Sequence, residues 1–453
     1  MLTATDPCTG KKLDDIPSLK RSELFDRIGE AYAAAASWRA MSFEYRAQVL
    51  KAVAKQLRAE KQRLAELMAT EMGKPIKEGL AEVEKAAFCA EHYADNAEGY
   101  LAREELDSDA SLSYVFYPPL GTVLGILPWN APVWLAFRFL APALMAGNTC
   151  VMKHDPNVPY TAAAIADAFV KAGVHDNIMV NLPVETSMVE LAIEDPRIAA
   201  VSFTGSSGAG SKVAAKAGSV IKPCVLELGG SDPCIVLADA DLERAADIAV
   251  LSRIINAGQS CIAAKRIIVE ASIYDSFIAK LKRRLAKLQL GDPLSEETDI
   301  GPIARKDLQL NLHRQVQDTV AAGAKCLLGG DLPEQEGFFY PVTLLTDVTP
   351  NMTAFREETF GPVMAVIKAN DAEHALELAN DSEYGLGAAV WTDNAGLAER
   401  MAMQLEAGQV AINGIVKTDP RLPSGGIKAS GFGRELGPHG IREFVNAKQI
   451  WIK

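Results

Sequence analysis

The 453-residue sequence has no CxxC pair among its seven cysteines, which are odd in number and spread from Cys8 to Cys326. That argues against a disulfide framework and points to reduced thiols in a cytoplasm, one of them available for catalysis. No apolar run approaches the roughly 18 residues of a spanning helix. The opening MLTATDPCTGKKLDD lacks a basic patch followed by an apolar core, so neither membrane insertion nor secretion is expected. There is no surplus of basic residues: a formal net charge of −12, scattered along the length, reads as a solvated surface and argues against nucleic-acid or anionic-membrane partners. Internal repeats and low-complexity tracts are also absent, which excludes a solenoid.

What is present is length and alternation. The chain exceeds the roughly 250 to 300 residues at which one core stops growing, so two large domains are expected. Val49, Val53, Leu57, Leu64, Leu67 and Met68 recur at helical spacing over 44–72 and the run stops at Gly73, predicting one amphipathic helix. β-rich runs at 123–127, 149–153, 178–182 and 198–203 alternate with helix-like stretches such as YTAAAIADAFVKAG, the mark of crossover units and a parallel sheet. A second α/β block begins after Asp232, with strands expected at 234–238 and 266–270 and an amphipathic stretch over 271–290. The polar, alternating segment 104–118 is expected to pair with the terminal NAKQIWIK in a small projecting sheet.

Four segments carry residue types suited to chemistry. In NAGQSCIAAKR, residues 256–266, Cys261 lies between a glycine-containing polar turn and a restarting strand; it reads as a nucleophile or as an inert buried thiol. In KPCVLELGGSDP a β-rich run carries Glu227, which needs a function, a partner or a raised pKa if it points inward and needs none if it faces solvent. FTGSSGAG, residues 203–210, ends a strand and turns into a helix whose free N–H groups suit a pyrophosphate. Its G-x-x-G-x-G spacing is not the usual dinucleotide fingerprint. In GTVLGILPWNAPVWLAFRFLAPALMAGN a strand runs into Pro128, Trp129 and Asn130, where the Asn suits an oxyanion or a helix N-cap. Cys224, three residues before Glu227, is a second thiol open to oxidants.

Together with EETFGPV at 357–363 and PSGGIKASGFGRELG at 423–437, the joint pattern of PWN, FTGS, ELGG, GQxC and EExFGPV resembles the aldehyde dehydrogenase superfamily over nearly the whole chain. The resemblance implies an α/β fold of two domains with parallel sheets and a small β oligomerisation arm. A Rossmann-like cofactor domain is expected over 1–103 and 120–230, a catalytic domain over 231–430, and the arm over 104–119 and 436–453. It implies that Cys261 attacks the aldehyde as a thiolate, that the Asn130 amide and the Cys261 backbone N–H hold the oxyanion, and that Glu227 is the base that hydrolyses the thioester. Glu227 also lies 22 positions after Gly205, where a conventional dinucleotide fold places its ribose-binding acid; the ELGG match assigns it to the base.

For the cofactor, the resemblance implies Lys153 at the adenosine ribose, Glu358 and Phe360 around the nicotinamide, and Trp129, Phe203, Thr204, Gly205, Ser206, Leu228 and Gly229 around the remainder. Relatives that prefer NAD usually carry a glutamate three residues after the lysine, where this sequence has Pro156 in KHDP. The missing carboxylate permits NADP, with NAD also usable, unless Asp155 points inward and restores the repulsion. Arg138, eight residues after Asn130, matches the arginine that holds the distal carboxylate in the succinate-semialdehyde branch; a salt bridge is its alternative role. Trp134 and Ser260 would flank the substrate, and Lys417 and Arg421 in GIVKTDPRLP would add cations at the rim or stay solvated. No metal is expected.

The function expected is NADP-dependent oxidation of succinate semialdehyde, or of another short or medium-chain aldehyde, in a cytoplasmic homodimer or homotetramer whose KQIWIK edge is covered by a partner. A CoA-acylating or phosphorylating enzyme has no need of a hydrolytic base at Glu227. A cysteine amidohydrolase or acyltransferase leaves FTGS and EETFGPV unexplained. A silent structural member would have lost Cys261, Glu227 or Asn130.

Overall fold

The structure is a computed structural model that describes residues 1–174 and 176–453. The β-rich runs of the first half build a six-stranded sheet in the order Gly431–Phe432, Cys224–Glu227, Ile198–Thr204, Thr122–Leu127, Thr149–His154 and Met179–Asn181. All neighbours are parallel except the first pair, which is antiparallel. Both faces are covered, which is why the strands read as unbroken apolar runs. Along Thr122–Leu127, Val123 and Leu127 belong to one core cluster, Leu124 and Ile126 to the cluster on the other face.

The second block gives a seven-stranded sheet in the order Lys325–Leu328, Thr343–Thr346, Val363–Ala369, Ala264–Glu270, Asp232–Val236, Gly387–Trp391 and Gln409–Ile412. Only Lys325–Leu328 runs antiparallel to its neighbour. Its faces are likewise split, with Ile235 and Ile268 in one cluster and Val236 and Ile267 in the other. Leu112–Phe116 pairs antiparallel with Lys448–Ile452 in a separate three-stranded arm, as the alternation of 104–118 predicts. Among the described residues no helix is long and apolar enough to cross a membrane.

Three expectations need correction. The helix expected over 44–72 is two helices, Phe43–Ala59 and Lys61–Met72, separated at Glu60 with φ −94° and ψ 8°. A one-residue break in near-helical backbone keeps the apolar spacing almost in phase, so periodicity cannot reveal it. The helix expected over 271–290 is confined to Tyr274–Leu285. Residues 436–445, expected in the arm, pack instead into the first core through Leu436, Ile441, Phe444 and Val445, because their apolar side chains have more to bury there than a solvated arm offers.

Parallel strands point their C-terminal ends to one edge, and that geometry assembles the site. Thr122–Leu127 delivers Trp129 and Asn130, Thr149–His154 delivers Lys153, Ile198–Thr204 delivers Gly205 and Ser206, and Cys224–Glu227 delivers Glu227 and Gly229.

Candidate active site

Cys261 is presented by a loop whose backbone is left-handed at three consecutive residues: Asn256 at φ 56°, Ala257 at 52° and Gly258 at 74°. Glycine, and to a lesser degree asparagine, adopts this conformation readily, but alanine does not, so the loop must be held from outside. The Asn256 N–H donates to Glu78 at 2.7 Å, and its Nδ2 donates to the carbonyls of Asn130 at 2.8 Å and Gln259 at 3.0 Å. Gln259 accepts the Ala304 N–H at 2.9 Å, and Arg253 donates to the Gly258 carbonyl at 2.6 Å. Gly258 is required for a second reason: a Cβ there would collide with the Gly361 carbonyl. Beneath the nucleophile, the fully buried Lys265 donates to the carbonyls of Ser260, at 2.7 Å, and Cys261.

Burial pushes the Cys261 thiol up to about 11, while Lys265 and Arg138 pull it down. Asn130 reaches the same loop, its Nδ2 donating to the Gln259 carbonyl at 3.1 Å, two residues from the thiol. Its amide is therefore not the cap of the following helix, Pro132–Met145, whose N-cap position is Ala131. That helix is held by Glu82, which accepts the N–H groups of Val133 at 2.9 Å and Trp134 at 3.1 Å. Glu82 pairs with the buried Lys74, which also donates to the Asn130 carbonyl at 2.9 Å.

Glu227 is buried, and its Oε2 accepts from Arg138 Nη2 at 3.0 Å. The same nitrogen meets Glu435 Oε2 at 2.5 Å, so one guanidinium serves two carboxylates, and all three residues are at most 4% exposed. Burial raises the Glu227 pKa, Arg138 opposes the rise and Glu435 adds to it. Arg138 is thus neither a surface residue nor free. Trp134 lies one turn earlier on its helix and is covered by Lys85, whose Nζ stands 4.1 Å from the indole centroid and donates to Thr418 at 2.8 Å. Burial lowers the Lys85 pKa to about 8, with Arg138 adding to the effect. Lys417 is exposed and Arg421 is turned onto Asp419 at 2.6 Å, so the two loop cations face solvent rather than the buried Arg138; local Asp–Arg pairing across two residues outcompetes a longer reach.

The residues assigned to a dinucleotide line the adjoining strand ends. Lys153 is buried and its pKa is lowered by desolvation, with Asp155 as the charge that opposes this. Asp155 accepts the Asn157 N–H at 2.9 Å, closing a turn around Pro156. Ser206 caps the helix Ser207–Ser219, accepting the Ala209 N–H at 3.4 Å. A Cβ on Gly205 would come within 2.6 Å of the Phe203 ring, and one on Gly210 would strike Leu228, so this surface is shaped by absent side chains. Thr204 Oγ1 is buried without a hydrogen-bond partner among the described residues. Across the cleft, Trp129 meets Phe360 edge to face at 5.8 Å, and Glu358 accepts the Gly230 N–H at 3.1 Å and sits where a Cβ on Gly229 would fall. Small residues, a helix start, a buried lysine and a hydroxyl without a partner among the described residues fit a dinucleotide.

The profile of the aldehyde dehydrogenase family matches residues 1–450. The chain belongs to the aldehyde dehydrogenase family. Among curated members, a probable NADP(+) succinate-semialdehyde dehydrogenase of Synechocystis sp. is 46% identical over 451 residues, covering 100% of this chain and 99% of the relative. A succinate semialdehyde dehydrogenase [NAD(P)+] of Escherichia coli is 46% identical over 446 residues, covering 98% and 96%. The solved structure of succinic semialdehyde dehydrogenase from Streptococcus pyogenes in complex with NADP+ has a TM-score of 0.97 at 33% identity, covering 100% of both chains.

Within this aldehyde dehydrogenase, the fold brings the half-buried Cys261 and Asn130 together with the buried Glu227 and Arg138, while the side chains of Lys417 and Arg421 are exposed. Sequence reasoning missed Lys85, Lys265, Glu435 and the Lys74–Glu82 pair. Glu435 lay in the quoted ASGFGRELG stretch, where an acid among glycines carries no signal of burial.

Proposed function

We propose that this enzyme oxidises succinate semialdehyde to succinate with NADP. The observation that carries the substrate is the placement of two cations around Trp134: Lys85 Nζ stands 4.1 Å from its ring centroid, and the buried Arg138 lies one turn on along its helix. Two unlike cations beside an aromatic wall suit a carboxylate at the end of a short chain. The Pro156 turn supports NADP, because no side-chain carboxylate stands at that position and Asp155 is engaged by the Asn157 N–H. The free thiols fit a reducing cytoplasm, and the exposed Trp451 and Ile452 on the arm's edge strand fit pairing with a second copy, as a dimer or tetramer.

Cys261 gives its thiol proton to water and adds as the thiolate to the aldehyde carbon, and the Asn130 amide with the Cys261 N–H holds the oxygen that becomes negative. When bound, the nicotinamide supplies the hydride acceptor. The Cys261 thioester that remains is hydrolysed: water bonds to the acyl carbon, its proton passes to Glu227, the carbon–sulfur bond breaks and the thiolate leaves with the electron pair.

The steady-state rate of NADP reduction with succinate semialdehyde and with butanal, equal in chain length but uncharged at its end, tests the substrate. Wild type prefers the charged aldehyde in kcat/KM and Arg138→Ala loses that preference; equal handling of both aldehydes by wild type overturns the assignment. Lys85→Met raises KM for succinate semialdehyde by about tenfold, the scale of one charge-assisted contact, and leaves butanal unchanged. Because Lys85 loses its proton near 8, kcat/KM for succinate semialdehyde declines as pH rises through about 8 while that for butanal does not. Parallel pH profiles for the two aldehydes would remove Lys85 from the substrate site.

A further inference from the structure

Glu227 is not poised as a base in this structure. One of its oxygens is committed to Arg138 at 3.0 Å, and the other, Oε1, is buried without a hydrogen-bond partner among the described residues and rests against the backbone of Gly425, where a Cβ would come within 2.8 Å of it. To take a proton from water at the Cys261 acyl group, the carboxylate has to leave the guanidinium. The structure also shows what would make it leave. Arg138 already carries Glu435 on the same nitrogen, and its Nε is buried with no partner among the described residues, so the fork has an open donor but no spare charge.

We infer that the aldehyde's own distal carboxylate releases the base: on binding Arg138 it displaces Glu227, which then turns to the Cys261 thioester. This rests on the reading of Arg138 as the carboxylate clamp. Three carboxylates on one desolvated guanidinium repel one another strongly, and one must be expelled. The backbones of both protein carboxylates are fixed, Glu227 in its strand and Glu435 by Ser424, but only Glu435 has a second side-chain contact, its Oε1 lying 3.5 Å from the Ser202 hydroxyl. Among the described residues Glu227 has no second side-chain hydrogen-bond partner, so Glu227 moves. The incoming carboxylate is compensated by Lys85 on its far side.

The consequence is a specificity that acts on hydrolysis rather than on binding alone. An aldehyde without a carboxylate acylates Cys261 and gives up its hydride but leaves Glu227 locked, so its thioester accumulates. Water attack, proton transfer to Glu227 and loss of the thiolate then limit turnover.

Rapid mixing of wild-type enzyme and NADP with butanal tests this. A burst of about one NADPH per active site is expected, followed by a steady rate at least about tenfold slower than with succinate semialdehyde. Acetaldehyde, two carbons shorter, leaves the carboxylate position vacant; its slow phase is accelerated several-fold by added formate, whereas sodium chloride at equal ionic strength has no effect. The absence of a burst, or a slow phase indifferent to formate, overturns the release mechanism; the clamp reading then still stands if wild type prefers succinate semialdehyde in kcat/KM. If wild type shows no such preference, the clamp reading falls and the release mechanism with it. In Arg138→Met the formate effect disappears; its persistence would place formate elsewhere and overturn the inference. Should that variant fail to fold with two carboxylates left unpaired, the wild-type comparison decides alone.

Discussion

Cys261→Ala lowers NADP-dependent aldehyde oxidation by more than about 10⁴-fold, the scale seen when a covalent nucleophile is removed. No neighbour can replace it. Lys265 is committed to backbone carbonyls; Cys89, near Arg138 and Lys85, is fully buried with its thiol on the Phe137 carbonyl, and burial raises the pKa of Cys89, Cys150 and Cys234 alike. The fold survives the change. The loop is held by Glu78, Asn256, Gln259, Arg253 and Lys265 through backbone groups, none of which involve the thiol. A melting temperature within about 3 °C of wild type is therefore expected for a half-buried Cys→Ala change. Substantial oxidation by a folded Cys261→Ala protein would sink the thioester mechanism.

Glu227→Gln separates the two halves of the reaction. Acylation and hydride loss need Cys261 and the oxyanion donors, so a first turnover remains; hydrolysis needs an acceptor for the proton of water, so the steady-state rate falls by about 10²- to 10⁴-fold. Only the ionised carboxylate accepts a proton, so wild-type kcat falls as pH drops through the Glu227 pKa. The buried setting of Glu227 places that limb above the ordinary carboxylate range. The limb is absent in Glu227→Gln. A burst lost together with the steady state would instead assign Glu227 to deprotonating the Cys261 thiol, which burial holds at about 11.

The motifs that converge on the site were legible because each ends or precedes a strand of the parallel sheets. Trp129, Asn130, Lys153, Gly205 and Glu227 sit at strand ends along one edge, and hydrophobic runs locate such strands well. The partners of those residues were not legible. Lys85 lies in KEGLAEVEKAAF, where acids and bases alternate along a helix as they would on a solvated face, and only the docking of Trp134 encloses it. Lys265 opens a strand beside Arg266 and resembles a pair of edge cations; it is fully buried because Glu358 and the Ser260 and Cys261 carbonyls surround it. Ala257 in left-handed backbone leaves no trace in propensity, since tertiary hydrogen bonds to its neighbours impose that conformation. The sequence offers Arg138 two roles, substrate ligand or salt bridge, and the structure makes the salt bridge, with Glu227 and Glu435, a fact of the resting site.

The most direct test of the account is mass spectrometry of Glu227→Gln enzyme mixed with succinate semialdehyde and NADP and quenched in acid. The account predicts a succinyl adduct on the peptide that contains Cys261 and on no other cysteine. A protein that reduces NADP yet carries no adduct, or carries it at another thiol, would contradict it.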